Sequence, residues 1–306
     1  MIDQKYIEQV RLLLRILPVI SRVPQFALHG GTAINLFYHN MPRLSVDIDL
    51  TYIPYKDRET DLKSIQQLLI GISNDLMRNI PILKVQQHFL SGSQYKLFCT
   101  LGKAKVKIEV NSIIRGVIAK TEQKPLCPEA QNTFEGFVEM NIVPESQLFG
   151  GKIVAALDRQ HPRDFFDTKK LLDRSGFTDD IMTGFLFCLL NSNRPIHEIL
   201  QPVFIDQKSA LDRQFKGMAN EVFTYETLDY ERIRLLRSIY NKINDVHKQL
   251  IIGFVCNRPI WPLGDWSKYP GVAWKMQNLQ ILQSQNPKKF EQQAKQVEDI
   301  FQLNAR

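Results

Sequence analysis

Two aspartates separated by a single residue, Asp47 and Asp49, are the residues of this sequence best placed to do chemistry. They fall in its clearest alternation, in which Val46, Ile48 and Leu50 interleave with Asp47, Asp49 and Thr51. Period two predicts a strand with one apolar and one polar face, and residues i and i+2 share a face at roughly 6.5–7 Å. Carboxylates at that spacing repel unless a cation sits between them. A hard divalent cation, Mg²⁺ or Mn²⁺, takes oxygen ligands and keeps positions open for phosphate oxygens. The competing reading is a solvated strand face that carries two acids, because D-x-D alone is a common pattern.

Neighbouring residues strengthen the first reading. Upstream lies Gly30-Gly31-Thr32, between a strand candidate at Phe26 to His29 and a short helix from Ala33 to about His39 for which Thr32 is the expected cap. Glycines there let backbone N–H groups approach a triphosphate, and the helix N-terminus that follows favours an anion. Ser45 shares the polar strand face with Asp47 and is placed to hydrogen-bond a phosphate, while Arg43 either pairs with a carboxylate or steadies the loop. Glu109 lies on the polar face of a later alternation, Lys105 to Glu109. Two roles stay open for it: third metal ligand or base for an attacking hydroxyl, and edge-strand acid paired with Lys105 or Lys107. A last group spans Lys152 to Asp167. Lys152, Ala156 and Arg159 fall on one side of a helix, and beyond the break at His161-Pro162 Arg163 and Asp167 are spaced i, i+4 on the next. They read either as a clamp for the charge on a leaving pyrophosphate or as salt bridges between two helices.

These residues need elements to hold them. Ile7, Val10, Leu14 and Leu17 predict an N-terminal helix with Pro18 near its end, and Leu62, Ile65, Leu68, Leu69 and Ile72 predict another over about 57–78. Strands are expected over 82–90 and 95–101, joined by a hairpin loop at Ser91-Gly92-Ser93-Gln94. Further strands are expected from Ala104 to Val110 and from Phe137 to Ile142. After Pro144 the character changes. Nearly everything from Glu145 to about Tyr240 reads as helix, with breaks at His161-Pro162, Ser175-Gly176 and Asn191 to Pro195, and a helix from about Tyr230 to Gly253 follows. The expected class is α+β: a mixed sheet flanked by helices over 1–144, then a helical bundle over 145–306.

Composition bounds the function. The 306 residues are 44% hydrophobic and 23% charged, ordinary globular usage that calls for a packed core. A net charge of +7 suits a phosphate-rich partner such as a nucleotide or RNA, as well as a plain lysine surplus. Cys99, Cys127, Cys188 and Cys256 have neither CxxC spacing nor histidine neighbours, which points to free thiols in a reducing cytosol. The apolar stretch from Leu12 to Ile20 is interrupted by Arg15, so no signal peptide is expected there. No run reaches the roughly 18 apolar residues of a membrane span. The expectation is a cytoplasmic protein with no membrane partner.

The ordered set of motifs resembles the AbiEii/AbiGii toxin family of nucleotidyltransferases, within the DNA-polymerase-β-like superfamily. Leu28 to Phe37 looks like the family's first motif and Arg43 to Leu50 its second. Lys152 with Ala155 to Arg159 looks like the third, and Arg163 to Asp167 the fourth. Trp274 to Leu279 is similar to the family's C-terminal pattern. The resemblance implies an N-terminal nucleotidyltransferase domain completed by residues of the helical domain. It implies that Asp47 and Asp49 hold the metal, that Ser45 and the Gly30-Gly31-Thr32 turn hold phosphate, that Lys152 contacts the nucleotide and that Asp167 is essential. It further implies transfer of a nucleoside monophosphate from an NTP with release of pyrophosphate, in some members to the 3′ end of tRNA. The protein would be the toxin of a toxin–antitoxin or abortive-infection system, with its antitoxin encoded nearby. Alternatives of other classes are a transferase that modifies a protein or small molecule, and a nucleotide- or RNA-binding module without turnover.

Overall fold

A computed structural model describes residues 2–90 and 94–303. The Ser91-Gly92-Ser93 part of the expected hairpin loop lies outside the described residues. The chain clusters into two compact units, Met1–Pro144 with Phe215–Val222, and Glu145–Gln214 with Phe223–Arg306.

The first unit is built on a seven-stranded mixed sheet. Its strands are β1 (Phe26–His29), β2 (Asp47–Tyr52), β3 (Lys84–Leu90), β4 (Gln94–Leu101), β5 (Ala104–Val110), β6 (Glu122–Pro125) and β7 (Glu139–Ile142), in the spatial order β3-β4-β5-β2-β1-β7-β6. β2 pairs antiparallel with β1 and parallel with β5, so it lies inside the sheet with a neighbour on each side. The helices of this unit are α1 (Gln4–Ile20), α2 (Gly30–Ala33), α3 (Arg58–Asn79) and α4 (Pro128–Phe134). One sheet face is apolar: Ile48, Leu97, Cys99, Ile108 and Val110 are all buried. α1 and α3 contribute Leu13, Ile16, Leu17, Ile65, Leu69 and Ile72 to the core, each essentially inaccessible. Full burial of such a side chain stabilises by about 1.5–3 kcal/mol. Ile48 therefore does more than fill space. A register slip of one residue would put Ile48 in water and Asp47 and Asp49 in the core, so the hydrophobic pattern fixes which way the aspartates face.

Local chemistry explains where expectation and structure part. β6, Glu-Gln-Lys-Pro, has no apolar alternation because it is an edge strand, where a proline and charges are tolerated. Thr32 does not cap the helix after β1. The helix starts at Gly30 and runs on as a π-helical turn over Ile34–Tyr38, leaving Thr32 inside it.

The second unit holds α5 (Glu145–Arg159), α6 (Pro162–Arg174), α7 (Asp179–Asn191), α8 (Ile196–Leu200), α9 (Lys208–Ala210), α10 (Tyr225–Lys242), α11 (Asp245–Val255), α12 (Pro270–Gln285) and α13 (Pro287–Leu303). α5 and α7 cross closely: a Cβ on Gly150 would come within 2.2 Å of the Gly184 carbonyl carbon, so only glycine fits there. The expected helix over 230–253 is two helices. Asn244 ends the first and caps the second in a capping box with His247. Most of the 201–224 segment is not helical, contrary to expectation. Part of it, 215–222, belongs to the first unit, where Ala219 bridges Arg43 and the Met218 carbonyl accepts from Leu44 N at 2.7 Å.

Candidate active site

In the first unit the β1–α2 turn and the start of β2 converge. Gly30 has φ of +71°, a left-handed conformation that glycine adopts without strain. A Cβ there would lie 2.4 Å from Asp49 Oδ2, so the bare glycine leaves the carboxylate its place. A Cβ on Gly31 would meet Ser45 Oγ at 2.9 Å and Arg43 Nη2 at 3.0 Å. The two glycines thus put Asp49, Ser45 and Arg43 against one backbone turn. Thr32 closes the arrangement: its hydroxyl lies 3.0 Å from Ser45 Oγ and also reaches the Asp47 main-chain carbonyl. That carbonyl only accepts, so the single Thr32 proton serves it and Ser45 supplies the proton of the other bond. Thr32 and Arg43 are buried, and Arg43 donates from Nη1 to the Leu44 carbonyl at 2.9 Å. Both tie the chain together around the site.

Asp47 and Asp49 are part-exposed on one face of β2. Two carboxylates on one strand face, one of them seated against a glycine, form an all-oxygen donor pair that fits a hard divalent cation. Among the described residues no group of three His, Cys, Asp or Glu forms a metal-holding cluster. Glu109 stands opposite Asp49 in the parallel β2–β5 register, but its carboxylate is held by Lys107 Nζ at 2.8 Å and Lys96 Nζ at 3.0 Å. Of the two roles left open for it, the structure shows the ion-paired one, with Lys96 and Lys107 rather than Lys105 as partners. Burial would raise the Glu109 pKa, but the two lysines outweigh it and hold the acid below its ordinary value. Burial likewise works against the Lys107 ammonium. Its hydrogen bond to Glu109 and the charges of Asp47, Glu109 and Asp49 prevail and raise its pKa.

In the second unit Lys152 is buried on α5. Its ammonium lies 2.8 Å from Asp164 Oδ1 and 3.0 Å from Asp167 Oδ2, both on α6 and both at most 1% exposed. Arg159 grips the same Asp164 through Nε at 2.6 Å and Nη2 at 2.9 Å, with 64% of its side chain exposed. Burial would raise the Asp164 pKa, yet Lys152 and Arg159 drive it well below the carboxylate range. Two cations and two anions make a neutral lattice that joins the helices. Asp164, at its centre, received no role from the sequence. The available signal was the three-residue spacing of Asp164 and Asp167, which puts both on one helical face. Arg163 is part-exposed in the first turn of α6, where His161 Nδ1 accepts from its backbone N–H at 3.1 Å and caps the helix.

A nucleotidyltransferase is the class that this sheet and its acidic strand define, and sequence comparison agrees. Residues 11–236 match the model of the nucleotidyl transferase AbiEii toxin family, of type IV toxin–antitoxin systems, and the chain belongs to that family. Membership makes it a toxin nucleotidyltransferase with a cognate antitoxin for partner. Among solved structures it is similar to MenT4, a nucleotidyltransferase toxin of Mycobacterium tuberculosis H37Rv. The TM-score is 0.61 and the identity 12%, over 90% of this chain and 93% of that one, a likeness of fold. The GLD-2/RNP-8 complex aligns over 96% of this chain and 93% of that one at 12% identity, with a TM-score of 0.28 at which no shared fold is implied. No curated protein sequence matches the chain. Among the described residues no helix is long and apolar enough to cross a membrane.

Proposed function

We propose that the chain transfers a nucleoside monophosphate from an NTP to a hydroxyl of RNA, the 3′ end of tRNA being the acceptor expected from the family resemblance. The observation that carries this reading is the seating of Asp49 and Ser45 against the Gly30-Gly31 turn, with Asp47 on the same part-exposed face of β2 as Asp49. Asp47 and Asp49 would hold Mg²⁺ or Mn²⁺, which supplies neutralisation of the phosphate charge. The backbone N–H groups of the Gly30-Gly31 turn would meet phosphate oxygens, with the Ser45 hydroxyl beside them, while buried Thr32 ties the turn to β2. The acceptor oxygen forms a bond to the α-phosphorus, the bond from that phosphorus to the bridging oxygen breaks, and pyrophosphate departs. The hydroxyl proton passes to a carboxylate of the pair or to water. Glu109, held by two ammonium groups, serves better to position Lys107 beside the aspartates than to take a proton.

Lys152 and Asp167 enter this proposal as positioning residues, because both are buried and paired. Arg159 is exposed and Arg163 part-exposed, so both cations remain open to a phosphate group in this proposal. Incubation with each of four labelled NTPs and total RNA tests the reading. Label in an RNA band, lost in Asp47→Ala, is the expected result, and label found only in protein or small molecules would overturn RNA as the acceptor.

A further inference from the structure

The sheet of the first unit has a second face on its outer three strands, and the register determines what that face carries. Lys96 stands opposite Glu109 and Phe98 opposite Lys107 across β4–β5, while His88 stands opposite Lys96 across β3–β4. Paired residues on neighbouring strands share a face. Thr100, opposite Lys105 on one side and Lys84 on the other, brings both lysines onto it as well. The reverse face carries the buried Tyr95, Leu97, Cys99, Val106 and Ile108. This face is accessible instead: Lys84, His88 and Lys105 are exposed, and Phe98 is 37% exposed with His88 packed edge-on at 5.2 Å. Four lysines face one acid, Glu109, and an aromatic side chain lies in their midst. The same face continues onto β2, where the β2–β5 register sets Asp47 beside Lys107.

We infer that this face is the docking platform for the single-stranded end of the RNA acceptor, leading it across β3, β4 and β5 to the aspartates of β2. The inference rests on the transferase reading above. Charge selects the partner: a row of ammonium groups complements a phosphate backbone and repels a basic one. Exposed Phe98 among those cations is the combination by which sheets hold unpaired bases, with stacking for the base and lysine for the phosphate. Three strand spacings, about 14 Å, separate β2 from β3, the reach of roughly four bases stacked at about 3.4 Å.

The test is binding of a fluorescein-labelled, single-stranded 12-mer RNA of mixed sequence by anisotropy across a salt series, together with the transfer assay. Phe98→Ala is expected to weaken binding about 5- to 150-fold, with Phe98→Trp restoring it. Lys84→Ala with Lys105→Ala is expected to flatten the dependence of log K on log salt by about 1.4, or about 0.7 for each lost phosphate contact on a single strand. The substituted lysines are exposed, so thermal melting and binding of NTP alone should stay at wild-type levels. Wild-type labelling of RNA combined with unchanged affinity and salt slope in these variants would overturn the platform and leave the transferase reading standing. A wild-type chain that neither binds the oligomer nor labels RNA would overturn both.

Discussion

Two pairs of aspartates, one in each unit, are handled in opposite ways. In the second, Asp164 and Asp167 are sealed from water, and Lys152 and Arg159 lie within 3.0 Å of them. In the first, Asp47 and Asp49 stand part-exposed on a strand whose nearest glycine has been kept bare. The lattice spends its charges on one another and returns rigidity between two helices. The strand pair is open to solvent on one face of β2. Under the proposed function, one pair of aspartates serves architecture and the other chemistry, and solvent exposure is what separates the two uses.

The comparison breaks most visibly if Asp47→Asn leaves transfer intact. Loss of several kcal/mol of charge stabilisation corresponds to a drop of about 100- to 1000-fold or more in rate. The melting temperature should hardly move, because a part-exposed carboxylate in a like-charged pair is removed. Lys152→Met should behave the other way. It removes the buried ammonium that Asp164 and Asp167 share, leaving Arg159 on Asp164, at a cost of about 3–5 kcal/mol, and should lower the melting temperature by roughly 10 °C for a unit of this size. If Lys152→Met melts like the wild type, the lattice is not architectural and Lys152 belongs with the chemistry.

Much of this was legible beforehand, for reasons that can be located. β2 and the direction of its aspartates follow from strict alternation, and the bounds of α1 and α3 follow from apolar spacing and from Asp57, whose side chain accepts from Thr60 N. The break at His161-Pro162 was legible because proline belongs at the first turn of a helix. What escaped depends on pairing across the chain. Lys105, Lys107 and Lys96 all sit within strand reach of an acid on a polar face, so the choice of Lys107 and Lys96 by Glu109 needs the β4–β5 register. Asp164 has no partner in sequence to mark it, because its ion pairs come from Lys152 and Arg159 on α5. The membership of 215–222 in the first unit has no periodicity to announce it, since it rests on main-chain bonds to Asp3 and Leu44.

Gly30→Ala sharpens the comparison at its hinge. A side chain at φ of +71° costs about 1–3 kcal/mol, and its Cβ would meet Asp49 Oδ2 at 2.4 Å. Transfer should fall roughly tenfold to a hundredfold as the carboxylate is displaced. Gly31→Ala meets Ser45 and Arg43 at about 3 Å without a positive φ, so its effect should be smaller. Equal effects of the two substitutions, measured as kcat/KM and melting temperature, would show that crowding at the turn matters and the seat of Asp49 does not.

The smallest effect concerns acid stability. His161 Nδ1 accepts from the Arg163 backbone N–H, and His247 Nδ1 accepts from the Asn244 backbone N–H, so both caps require a neutral ring. Burial lowers both pKa values below the ordinary 6.5. A base with a depressed folded pKa binds its proton more weakly folded than unfolded. Its contribution is complete above pH 6.5 and is lost as the pH falls through the folded value. Melting temperature should therefore decline below about pH 6.5 as the start of α6 loses its cap and that of α11 the His247 half of its capping box. His161→Asn supplies an acceptor that does not titrate in this range, and its melting curve should depend less steeply on pH. An undiminished slope in that variant would move the acid sensitivity away from the α6 cap and onto other groups.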